Sequence, residues 1–226
     1  MRKLKRIVLE KLQADSLAAS LTDLLQLPHK QVANSLFAFL MHSDERVRWR
    51  AITAMGAVMA QLAEIDREFS RVIMRRLMWS LNDESGGIGW GAPEAMAEVM
   101  AQHEGLAGEY NRIFVSYLNP NGNFLEYEAL QRGLLWGTVR LSLVRPESIL
   151  DAGKHLCLYM ESDDPMVKGC AAWAAGLLQA RECMHALRLL AEDSSEFRMY
   201  LDDRFLTHSV GERARNSLSL LSTSRT

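Results

Sequence analysis

The sequence predicts an all-α fold, a right-handed α-solenoid of about five helix pairs with an N-terminal capping helix or pair. Two observations lead there. A ten-residue pattern returns at intervals near forty residues, the mark of a repeat architecture. The composition also favours helix: 48% of residues are apolar, 5 are proline, and Leu, Ala and Met, which lose little side-chain freedom in a helical turn, dominate. Few or no strands are expected.

The pattern is clearest in two segments. Val47-Arg48-Trp49-Arg50-Ala51-Ile52-Thr53-Ala54-Met55-Gly56 and Val167-Lys168-Gly169-Cys170-Ala171-Ala172-Trp173-Ala174-Ala175-Gly176 share an apolar first position, Ala at the fifth and eighth, and Gly at the tenth. Each follows acidic residues, Asp44-Glu45 and Asp163-Asp164. The same frame fits Ile88 to Ala97 and Val210 to Ser219, with a weaker copy from Glu128 to Gly137, so the starts differ by 41, 40, 39 and 43 residues. One such unit is a helix-turn-helix whose apolar stripe is buried only by stacking on the next.

In chain order, residues 1–27 read as capping helices, 28–222 as the repeat solenoid and 223–226 as a frayed tail. The first helix of each pair falls near 28–41, 66–81, 106–118, 146–160 and 182–191, with the repeated frame as its partner. Pro146 and Pro165 suit a first helical turn, where a missing N–H leaves no bond unmade. Ser209 and Glu212 have capping-box spacing. The connection 192–207 reads as a short extra helix that caps the end of the stack, the assignment preferred because a terminal repeat must cover its apolar end, or as a partner-docking insertion.

Small residues at the fifth and eighth frame positions allow close helix approach. The third and seventh positions then share the opposite face: Trp49/Thr53, Trp90/Glu94, Leu130/Leu134, Gly169/Trp173 and Glu212/Asn216. Three of the five tryptophans belong to this set, and tryptophan is enriched in binding hot spots. A groove around Trp49 and Trp90 and a core packing of the same rings both remain open. Arg46, Arg48 and Arg50 either meet an acidic partner or pair with the acidic turns.

The turn 82–94 departs from its siblings. Gly86, Gly87, Gly89 and Gly91 replace helix, at about 1 kcal/mol per Gly relative to Ala. Asp83, Glu84 and Glu94 beside Trp90 suit a positively charged or hydrogen-bonding partner, whereas no Gly-Lys-Ser/Thr ending supports phosphate. The alternative is a tight turn that admits Trp90 to its neighbour. The candidate binding residues are therefore Trp49, Asp83, Glu84, Gly86, Gly87, Gly89, Trp90 and Glu94.

The acidic-turn, Val-Arg, Ala and Gly pattern resembles the HEAT-like repeats of phycobilin lyase subunits and of many bacterial proteins, over residues 28–222. The resemblance implies fold, not function, because such repeats serve as scaffolds, lyases, a hydroxylase and glycosylases. The reading is a non-catalytic interaction or adaptor module that binds a protein segment or small ligand on a concave face. The alternative is an enzyme on the same scaffold, lyase-like or DNA-glycosylase-like, with Asp83, Glu84 or Glu94 as its acid.

Composition narrows the partners. A net charge of −2 and a pI near 6.3 give nucleic acid no global attraction. No cofactor and no metal are expected, since the six histidines are scattered and His103-Glu104 is a lone pair. Cys157, Cys170 and Cys183, 13 residues apart each time, read as free buried thiols. No apolar stretch reaches the ~20 residues of a membrane span, and the charges within 1–13 break any signal core, so a cytoplasmic location is expected.

Overall fold

A computed structural model describes residues 2–81 and 89–223. It contains α1 (Arg2–Gln13), α2 (Leu17–Leu24), α3 (His29–Phe37), α4 (Glu45–Ile65), α5 (Arg67–Leu81), α6 (Ala92–Gln102), α7 (Glu104–Ser116), α8 (Glu128–Val144), α9 (Leu156–Tyr159), α10 (Pro165–Leu177), α11 (Met184–Leu190) and α12 (Val210–Thr223). A 3₁₀ segment, Pro146–His155, precedes α9, and a short one, Arg181–Cys183, precedes α11. Two compact units divide the chain, the first ending at Glu109 and the second starting at Tyr110.

The repeated acidic turn is a helix cap. Asp44 accepts hydrogen bonds from the amides of Arg46 (2.9 Å) and Val47 (3.2 Å), and Asp164 from those of Met166 (2.8 Å) and Val167 (3.3 Å). Each satisfies donors that the first turn leaves orphaned. Pro165 takes the first turn of α10, and Ser209 Oγ accepts from the Glu212 amide at 3.3 Å. His103 performs the same task for α7, its Nδ1 accepting from the Leu106 amide at 3.0 Å.

In the first unit α4 is the central helix, packed against α1, α2, α3, α5 and α6. The alanines of the frame are buried: Ala51 and Ala54 on α4, Ala92 and Ala95 on α6. At the tenth position a side chain on Gly56 would meet Glu98 Cγ at 2.7 Å, so α6 approaches α4 where glycine stands. In the second unit α10 is central, against α8, α9 and α12, and a side chain on Gly176 would meet Ser217 Oγ at 2.4 Å. Ala171, Ala174 and Ala214 are buried there too.

Two expectations are corrected. The connection after α11 is a β-hairpin instead of a short extra helix, with β1 (Glu196–Leu201) antiparallel to β2 (Arg204–Ser209), within the few strands expected. Asp202 and Asp203 form its two-residue turn with φ of 49° and 60°, left-handed values that Asp tolerates. Phe197, Met199 and Tyr200 of β1 are buried; Met199 lies against Cys170, and Tyr200 supplies the carbonyl that Trp136 Nε1 donates to at 2.7 Å. The thiols differ as well: Cys157 and Cys183 form a disulfide, and Cys170 alone is free. The two partners lie 26 residues apart in sequence, and α9 packs beside the Arg181–Cys183 segment that leads into α11.

Candidate functional site

The turn into α6 carries the described part of the predicted site. Asp83, Glu84, Gly86 and Gly87 lie outside the described residues; Gly89, Trp90, Gly91 and Glu94 lie within them. Gly91 has φ +78°, and a side chain there would meet the Leu40 carbonyl at 2.6 Å. A side chain on Gly89 would meet the Ser80 carbonyl at 2.4 Å. These two glycines therefore let the turn press its backbone against the ends of two neighbouring helical segments.

Each contact has an exposed apolar side chain next to it in sequence. Met41 follows Leu40, Trp79 precedes Ser80, and Trp90 lies between the two glycines, at 58%, 71% and 45% exposure respectively. Three exposed large apolar side chains thus adjoin in sequence the two contacts that the turn makes. Trp79 and Met41 escaped the sequence reading although a signal existed for Trp79. The buried residues Ser70, Ile73, Met74, Leu77 and Leu81 mark the inward stripe of α5, and Trp79 falls off it.

Trp49 does not join this surface. It is 5% exposed, because α4 is surrounded by neighbours and its third frame position faces one of them. The expected open face fails elsewhere for the same reason: Leu130 and Leu134 are core, and Gly169 is covered by the Phe197 ring. Trp173 is half-buried, with the Arg213 guanidinium 3.8 Å above its ring and His208 edge-on at 5.2 Å.

Glu94 is half-buried overall, yet its Oε2 is enclosed without a hydrogen-bond partner among the described residues. Burial pushes its carboxyl up to about 7, opposed by its own backbone N–H and by the charge of Arg48. One oxygen of Glu94 is thus enclosed, and its carboxyl holds a proton more readily than a solvated glutamate does.

The three arginines flanking Trp49 separate. Arg46 is exposed, Arg48 pairs with Glu45 at 3.7 Å, and Arg50 is fully buried. Arg50 donates to the carbonyls of Leu12 (3.1 Å), Ala14 and Asp15 (3.2 Å), closing the C-terminal end of α1. The Arg48–Glu45 pair thus meets the acidic turn of its own repeat, and a different arginine, Arg132, pairs with Asp164.

No known family profile matches the chain, and no curated protein matches it either. Solved structures do. An engineered protein is 14% identical over 99% of this chain and 98% of its own, with a TM-score of 0.56. The designed armadillo repeat protein YIII(Dq)4CqI is 17% identical over 96% and 99%, TM-score 0.52. The designed armadillo repeat protein YIII(Dq.V1)4CPAF, solved in complex with peptide (KR)4, is 16% identical over 96% and 99%, TM-score 0.53. The fold is that of an all-α helical-repeat solenoid. Among the described residues no helix is long and apolar enough to cross a membrane.

Proposed function

We propose that this chain is a non-catalytic interaction module of HEAT-like repeats that binds a protein segment on the surface where Met41, Trp79 and Trp90 emerge. The carrying observation is that turn: three exposed large apolar side chains adjoin in sequence the contacts of Gly89 with Ser80 and of Gly91 with Leu40. Exposed tryptophan offers a large contact area at low rotamer cost, and clustered apolar exposure marks interaction surfaces. That an armadillo protein of similar fold was solved with a peptide supports a peptide-like occupant. The binding residues assigned here are Trp90, Gly89 and Gly91, with Met41 and Trp79 added and Trp49 kept as core.

The test is co-purification from source cells with the wild-type chain and with Trp79→Ala and Trp90→Ala at matched expression. A stoichiometric protein partner lost from both variants, whose melting temperatures stay within about 2 °C of wild type because little packing is removed, is the expected outcome. Equal recovery by all three proteins rejects this surface.

A further inference from the structure

Most basic side chains around the first helices are paired. Arg6 lies with Glu10, Lys11 with Asp23, Lys30 with Asp66, Arg71 with Glu68 and Glu109, and Arg75 with Glu68. Arg2, Lys5 and Arg76 form no ion pair among the described residues, and all three line one cavity of about 560 Å³ between α1, α3 and α5. Leu4, Ala38 and Asn34 complete much of its wall, and no carboxylate lines it. Three cations without a facing carboxylate, on a wall that Gln31 and Ser35 also line, raise a positive potential over a space the size of a ligand pocket.

Arg76 is already oriented. Its guanidinium lies 4.2 Å over the Phe37 ring, and Nη1 donates to Asn34 Oδ1 at 2.6 Å. A guanidinium held flat by stacking, with N–H groups left over, suits two-point recognition of a carboxylate. Lys5 Nζ stands 5.5 Å from the Phe39 ring centroid and adds a second charge from α1.

The position of the cavity selects its occupant. Trp79 follows Arg76 by three residues on α5, so the two lie on neighbouring turns of one helix face. A segment anchored on Trp79 therefore has Arg76, which lines the cavity, about one helical turn away. Nucleic acid would need many more phosphate neutralisations than three cations on a chain of net charge −2 provide.

We infer that this cavity receives a carboxylate side chain from an acidic, otherwise apolar protein segment seated across the Met41/Trp79/Trp90 surface. The inference rests on the apolar-surface reading above.

The experiment is fluorescence anisotropy of the full chain, tagged at its C-terminus, with a short labelled peptide alternating Leu and Glu and with its Leu/Gln counterpart. The Glu peptide is expected to bind roughly tenfold tighter or better, the scale of one charge-assisted contact. Arg76→Gln and Lys5→Gln, on separate helices and with unchanged melting temperature, should each erase that preference. Trp79→Ala should weaken both peptides alike. Trp79-dependent binding with equal affinity for Glu and Gln overturns the acidic preference and leaves the apolar surface standing. Absence of binding by both peptides overturns the inference, while the co-purification result decides the apolar surface separately. Displacement of the Glu peptide by inorganic phosphate at the same concentration as free peptide assigns the cavity to small anions and also overturns it.

Discussion

Burial lifts the Glu94 carboxyl from an ordinary 4.5 to about 7, so the folded chain binds its proton where the unfolded chain has lost it. Its contribution to stability is therefore present below pH 4.5 and is lost as pH rises to 7. Denaturant unfolding across that window should show wild type losing on the order of 2 kcal/mol relative to Glu94→Gln, with no further divergence above it; parallel curves would refute the enclosed carboxyl. Glu109 has the opposite sign. Hydrogen bonds from Arg71 first, and from Arg67, outweigh desolvation and hold it at about 2. Its stabilisation is present above 4.5 and fades as pH falls towards 2, so Glu109→Gln should cost about 1 kcal/mol at neutral pH and nothing at the acid limit. Arg50→Met should cost about 3 kcal/mol in the same assay, since the carbonyls at the end of α1 lose a buried charged donor. No residue pattern announced that role, because Arg50 and Leu12 are 38 residues apart.

Close approach between helices is set by the tenth frame position. A methyl group on Gly176 would stand 2.4 Å from Ser217 Oγ and 2.7 Å from Ser217 Cα, so α10 and α12 must part to admit it. Gly176→Ala should destabilise by about 2 kcal/mol although Ala favours helix by about 1. Ser217→Gly should recover only part of that loss, as the backbone atom remains; thermal unfolding of the single and double variants measures both. The hairpin escaped the repeat reading because only β1 has buried residues, Phe197, Met199 and Tyr200, and β2 has none, so six-residue strands leave too short an alternation to stand out from a helical background. Asp202-Asp203 and the Phe, Tyr and Thr residues around it carried the available signal. The disulfide was equally hidden, since 13-residue spacing says nothing about which helices meet. Thiol titration of unreduced, denatured protein should find Cys170 alone, and Cys157→Ser should cost about 3 kcal/mol by loop-entropy arithmetic. A persistent disulfide fits an oxidising compartment, so the thiols lend no support to the expected cytoplasmic location.

For the molecule as a whole, periodicity was sufficient for architecture. The acidic turn, the paired alanines and the terminal glycine recur as N-cap, buried contact and helix crossing in α4 and α10, and solved helical-repeat proteins match over nearly the full chain at 17% identity or less. Local interactions fix these features: a cap acts within three residues, and a small side chain sits small wherever its helix packs. The binding surface was only partly legible. Gly89, Trp90 and Gly91 drew attention as a break in the repeat, but Trp49 went into the core while Met41 and Trp79, outside the repeated frame, came to the surface. Helix periodicity orders residues by face without saying how many faces have a neighbour. That number is a property of the packed stack, where α4 is enclosed by five other helices, and so is the meeting of Arg2, Lys5 and Arg76 from two helices around one cavity. Sequence alone determined the repeat and its caps, through short-range chemistry; tertiary structure decided which side chains remain for a partner, because exposure depends on contacts between residues far apart in the chain.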